Sequence, residues 1–139
     1  MRKLPLILAS LFTLSGCGEM NLETSQIQIG TQDITVEIAE TQPAKETGLS
    51  GIRSLEQNTG MLFVYEAADF HTIWMPDMRF SIDVLWIDAD GYIVDAVRHM
   101  SPDSYPEVFS PSTPAKYILE VPAGFLEENN VNIGDIVEL

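Results

Sequence analysis

The chain has little of what most binding chemistries draw on. It holds one cysteine, two histidines and seven basic residues against 21 acidic ones, for a net charge of −14. A lone cysteine closes no internal disulfide, so the fold rests on its apolar core even in a compartment that permits disulfides. So acidic a surface repels phosphates, which argues against a nucleic-acid partner, and it offers anionic headgroups no attraction. No Gly-rich phosphate loop is present, and neither His71 nor His99 sits in a nucleophile–base motif. Asp88-Ala89-Asp90-Gly91 lacks the closing glutamate of a calcium loop and reads as a hairpin turn. Internal repeats and low-complexity tracts are absent. The apolar run Leu4 to Leu14 falls well short of the ~20 residues that span a bilayer as a helix.

What that run does resemble is an export signal. Arg2 and Lys3 give a positive start, and Ser15 and Gly16 are small residues ahead of Cys17, the layout of a secretory signal peptide. Leu14-Ser15-Gly16-Cys17 resembles the bacterial lipobox, which implies a diacylglycerol on the Cys17 sulfur and cleavage that leaves Cys17 at the N-terminus. The expected organisation is a signal peptide over 1–16, a lipidated tether over 17–25 and a single β-rich domain over 26–139. Cleavage would leave five basic against 21 acidic residues, a net charge of −16, so attachment would come from the lipid, two or more acyl chains giving stable anchoring. The expected location is a bacterial membrane facing the periplasm or exterior, and Gly18 after the cysteine points to the outer membrane in a Gram-negative host.

The domain reads mostly as strands. Ile27 and Ile29 alternate with glutamines, and Ile34, Val36 and Ile38 alternate with Thr35 and Glu37, a period of two broken by a turn at Gly30 to Asp33. Thr41 to Leu49 reads as the one clear helix, with Thr41 as cap, Pro43 in the first turn and Gly48 or Gly51 at its end. Strands are expected at Met61 to Tyr65, Thr72 to Met75, Ile82 to Ile87, Tyr92 to Val97, Tyr117 to Val121 and Ile136 to Leu139. Pro102 to Pro114 reads as a long loop and Ala123 to Asn129 as a short helix or turn. The expected fold is mainly β, a compact sandwich or partly closed barrel of short, mostly antiparallel strands with one or two short helices.

Gly48-Leu49, Gly60-Met61-Leu62-Phe63, Trp74-Met75, Ile82-Asp83-Val84, Asp88-Ala89-Asp90-Gly91, Tyr117 to Gly124 and Gly134-Asp135 occur in this order. Over Ile34 to Leu139 the chain thereby resembles the uncharacterised family called domain of unknown function 192. The resemblance implies a compact, mainly β domain, often exported, and implies no activity. Where that family commonly reads Trp-Met-Lys-Asn-Thr, this chain has Trp74-Met75-Pro76-Asp77-Met78. A basic and an amide side chain are replaced by a proline and a carboxylate, which removes the basis for anion binding in that loop.

Two carboxylates stand in apolar rows. Alternation puts Asp83 on a face with Leu85 and Ile87, and Glu120 on a face with Ile118, where an ionised group is costly unless paired. If their strands meet, the two would form a carboxylate pair suited to acid–base work. The plainer alternative has Asp83 capping a turn or pairing with Arg79, and Glu120 pointing to water. Trp74 beside the Pro76-Asp77 turn would wall a pocket with polar groups at its lip, so the candidate pocket comprises Trp74, Asp77, Asp83 and Glu120. His71, Met75 and Met78, with His99 and Met100, offer imidazole and thioether ligands of the type that suits Cu(I), although methionine more commonly fills cores. The leading expectation is a lipid-anchored, non-enzymatic binding or accessory module without a cofactor. Its partners would be the membrane, through the lipid, and a small molecule or envelope protein. A hydrolase using Asp83 and Glu120 is the rival, and copper binding the third reading.

Overall fold

The computed structural model describes residues 20–139. The expectations that fall on residues 1–19, the signal peptide and Cys17 lipidation, lie outside them. Seven strands, β1 (Thr24–Ile29), β2 (Gln32–Ala39), β3 (Thr59–Asp69), β4 (Ile82–Ile87), β5 (Ile93–Met100), β6 (Ala115–Pro122) and β7 (Val137–Glu138), form one sheet in the order β5-β4-β6-β3-β2-β1-β7. Two short helices, α1 (Gln42–Thr47) and α2 (Phe125–Glu128), complete it.

The pairings are antiparallel except β2 with β3, which run parallel because α1 carries the chain across between them. Helix α1 starts where the sequence signals it, with the Thr41 hydroxyl accepting the Ala44 N–H at 3.3 Å and Pro43 in the first turn. The sheet curls until its two ends touch. Tyr92 bridges Ile136, and the Val137 N–H donates to the Gly91 carbonyl at 2.8 Å. Gly91 makes this seam possible. At φ +91° a Cβ there would lie 2.8 Å from the Val137 carbonyl oxygen, closer than real side chains come. The mainly β, partly closed architecture expected from the strand pattern is the one observed.

Two apolar cores lie on the two faces of the sheet. Ile27, Ile29, Ile93 and Val137 come from strands near its opposite ends and share one core with Leu85, Leu119 and Leu126, which places that core inside the curl. The other, under α1 and the 70–80 segment, gathers Met61, Phe63, Met75, Val84, Trp86 and Ile118. Because both faces are covered, every residue of β4 is buried, and the strand reads as a continuous apolar run apart from Asp83.

Two local expectations shift. Thr72 to Met75 is not a strand: only Ile73 pairs, exchanging backbone hydrogen bonds with Phe109. Pro76 follows directly, and the partner segment is the proline-broken 102–114 stretch, so neither side can extend the ladder. That stretch is a loop as expected, with a single 3-10 turn over Pro102–Ser104. Thr24 and Ser25, assigned to the tether on sequence, already pair with β2, and Leu22 packs on the outer core.

Candidate functional site

Strand β6 lies between β3 and β4, so Glu120 is flanked by Met61 on one side and Val84 on the other, both core residues. The close β3–β6 approach depends on Gly60, where a Cβ would fall 2.5 Å from the Glu120 carbonyl oxygen. Glu120 is only 4% exposed, and its Oε2 has no hydrogen-bond partner in the protein. Burial raises its pKa to about 8, so at neutral pH the group is mostly an uncharged carboxylic acid.

Above it lies an open cleft of about 210 Å³ between α1, β3 and the 72–78 segment, with Glu120 in its lining. Tyr65 forms part of the wall, its pKa raised by burial and then by the Glu120 charge. The Lys45 Nζ sits 4.3 Å from the Tyr65 ring centroid, and the His71 ring stacks on Tyr65 at 3.6 Å. His71 is held by its Nε2 contact with the Ala67 carbonyl at 2.9 Å and by its own carbonyl, which accepts the buried Trp86 indole N–H at 2.8 Å. At the lip Trp74 is 49% exposed, its ring 5.5 Å from that of Tyr105.

The structure thus brings together two of the four pocket residues named from sequence, Trp74 and Glu120. Asp77 lines an adjoining recess with Ser50, Gly51, Met78 and Arg79, and its carbonyl accepts the Gly51 N–H at 2.9 Å. Asp83 is elsewhere. Strands β4 and β6 do pair, but Val84 faces Glu120 and Asp83 faces Val121, so the two carboxyls project from opposite faces of the sheet. The carboxylate pair, and the hydrolase built on it, are thereby corrected. Asp83 is instead a fully buried connector. It accepts the His99 N–H at 2.9 Å and, at the start of α2, the Leu126 N–H at 3.0 Å, which bears out its capping role. Glu120, by contrast, does not point to water.

Of the copper candidates, Met75 is 1% exposed in the outer core, Met78 is partly buried beside the cleft, and His71 is engaged as described. Met100 is also core. Among the described residues no group of three or more His, Cys, Asp or Glu is placed to hold a metal ion. Sequence reasoning missed Lys45 and Tyr65, which carry no motif. Gly48, Leu49 and Phe63, which the sequence places at a helix end, in a strand and in the family resemblance but in no site, line the same cleft as Trp74 and Glu120.

Solved structures share the fold. A protein from Sinorhizobium meliloti 1021, described as a "putative transcription regulator", superposes with a TM-score of 0.83 at 28% identity, covering 87% of this chain and 97% of that one. A protein of unknown function from Novosphingobium aromaticivorans DSM 12444 gives a TM-score of 0.80 at 23% identity, with 86% and 88% covered. No functionally curated protein matches the sequence. The profile of the domain of unknown function 192 family, described as "Uncharacterized ACR", matches residues 25–139, and the chain belongs to that family.

Proposed function

We propose that this protein is an exported, lipid-anchored binding module that takes a small molecule in the Glu120 cleft. The observation that carries the reading is the unpartnered Oε2 of a buried carboxyl at an open cleft. Buried polar atoms are nearly always satisfied, and one left open in a concave, partly aromatic site is a place for a ligand atom. With Asp83 on the other face, the Asp83–Glu120 pair that acid–base work would have used is not formed, which favours binding over hydrolysis. A regulatory role through nucleic acid, which the description of the Sinorhizobium meliloti protein raises, is opposed by the net charge of −14. Export and anchoring rest on Arg2, Lys3, the Leu4–Leu14 run and the Leu14-Ser15-Gly16-Cys17 tetrad.

Two measurements test this. A fragment library titrated against the ¹⁵N-labelled protein should give hits that shift the amides of Leu49, Phe63 and Tyr65; a screen in which no fragment moves them overturns the cleft. Mass spectrometry of the native membrane-extracted protein should find an acylated Cys17 as first residue. An intact leader or a bare thiol overturns the anchor.

A further inference from the structure

The cleft carries information about what it would hold. Its one cationic side chain, Lys45, is accompanied in the lining by Glu46, so the rim has no net charge. Lys45 also occupies the face of Tyr65, the position a ligand ammonium would take in a cation–π contact. An anionic ligand would approach a chain of net charge −14. A neutral ligand remains. Its size is limited, since about 210 Å³ lies below the roughly 300–1,000 Å³ of drug-sized sites and suits a single ring.

The lining asks for a ring of mixed character. Trp74 presents a half-exposed indole at the lip with Tyr105 packed against it. An aromatic face is electron-rich and attracts the slightly positive C–H groups of a saturated ring laid over it. Deeper in, Glu120 leaves an oxygen unpartnered. Ser50 adds a hydroxyl that already donates to the Pro76 carbonyl at 2.7 Å, and so is left to accept. An apolar C–H face combined with an edge of donors and acceptors describes a pyranose.

We propose that the cleft binds one neutral pyranose ring, stacked on Trp74 with a hydroxyl hydrogen-bonded to the unpartnered Glu120 carboxyl. This rests on the binding-module reading and specifies its ligand class. Because Glu120 is mostly uncharged at neutral pH, it both donates and accepts, and an amide in its place does the same.

The test is a titration of the ¹⁵N-labelled full chain with N-acetylglucosamine, with its tetramer, and with N-cyclohexylacetamide, which keeps the ring and amide but has no hydroxyls. N-acetylglucosamine should shift the Trp74 indole N–H and the Leu49 and Tyr65 amides, and N-cyclohexylacetamide should bind more weakly. Trp74→Ala, at an exposed site, should weaken the sugar about tenfold. Glu120→Gln should keep its affinity within about threefold, whereas Glu120→Leu should lose it. Tighter binding of the tetramer assigns the sugar to a glycan chain; equal binding assigns it to a free monosaccharide. If N-cyclohexylacetamide or another fragment shifts these signals and the sugars do not, the pyranose is wrong and the cleft stands. If nothing shifts them, both fall.

Discussion

Replacing Glu120 with glutamine isolates the energetics of the cleft. The carboxyl titrates near 8 in the folded chain against 4.5 when solvated, burial being the cause. Between those values the folded state holds a proton that the unfolded state releases. The contribution of this group to stability is therefore full below about pH 4.5, falls by up to ~1.4 kcal/mol per pH unit as pH rises, and is lost above about 8. The whole span is up to ~5 kcal/mol, a large fraction of the ~5–15 kcal/mol typical of a domain. Glutamine keeps the shape and cannot ionise. The titratable groups around the site are Tyr65 on β3 and Lys45 and Glu46 on α1, while the facing residue of β4 is the apolar Val84. Comparing wild type with Glu120→Gln at each pH cancels the titration of the other carboxylates. Denaturant unfolding followed by fluorescence of the buried Trp86 should show the two proteins within ~1–2 kcal/mol at pH 4.5, and the variant gaining several kcal/mol on wild type by pH 9. A difference that stays constant from pH 5 to 9 would refute the reasoning, since it would mean that the ionised carboxylate is solvated in the folded protein.

Other substitutions probe the frame around the site. Asp83→Asn sets an amide donor against one of the two backbone N–H groups that Asp83 now receives, and should lower stability by ~2–4 kcal/mol in thermal unfolding without altering ligand shifts on the opposite face. Gly60→Ala places a methyl against the Glu120 carbonyl; a loss of ~1–3 kcal/mol is expected, with the Glu120 amide among the most shifted in an NMR spectrum. Thr41→Ala removes the α1 cap and should cost about 1 kcal/mol in denaturant unfolding.

The sequence showed that Asp83 and Glu120 are both embedded in apolar rows, but not that they are separated by the sheet. Alternation fixes which side chains of one strand share a face. It says nothing about which face of the neighbouring strand matches it, because that is set by register, and a slip of one residue inverts it. Had Asp83 rather than Val84 stood opposite Glu120, the carboxylate pair would exist. The turn and hairpin expectations held because their causes are local: Gly30 lies in the turn between β1 and β2, and Thr41 caps α1 through a hydroxyl three residues from its donor. Thr72 to Met75 failed as a strand because pairing depends on what a distant, proline-broken segment can offer.

Beyond Trp74 and Glu120 the cleft was illegible for the same reason. Lys45, Tyr65, Trp74 and Glu120 come from four separate segments, and only the parallel β2–α1–β3 crossover sets the helix over β3 and β6. The two buried carboxyls then illustrate how identical chemistry acquires opposite roles. Asp83 receives two backbone N–H groups, so its burial is compensated and it organises the start of α2. Glu120 receives no hydrogen bond at Oε2, so its burial is an uncompensated desolvation that a ligand hydroxyl would relieve. A carboxyl that keeps a buried oxygen unpartnered in the lining of a cleft is better explained by what enters the cleft than by what surrounds it.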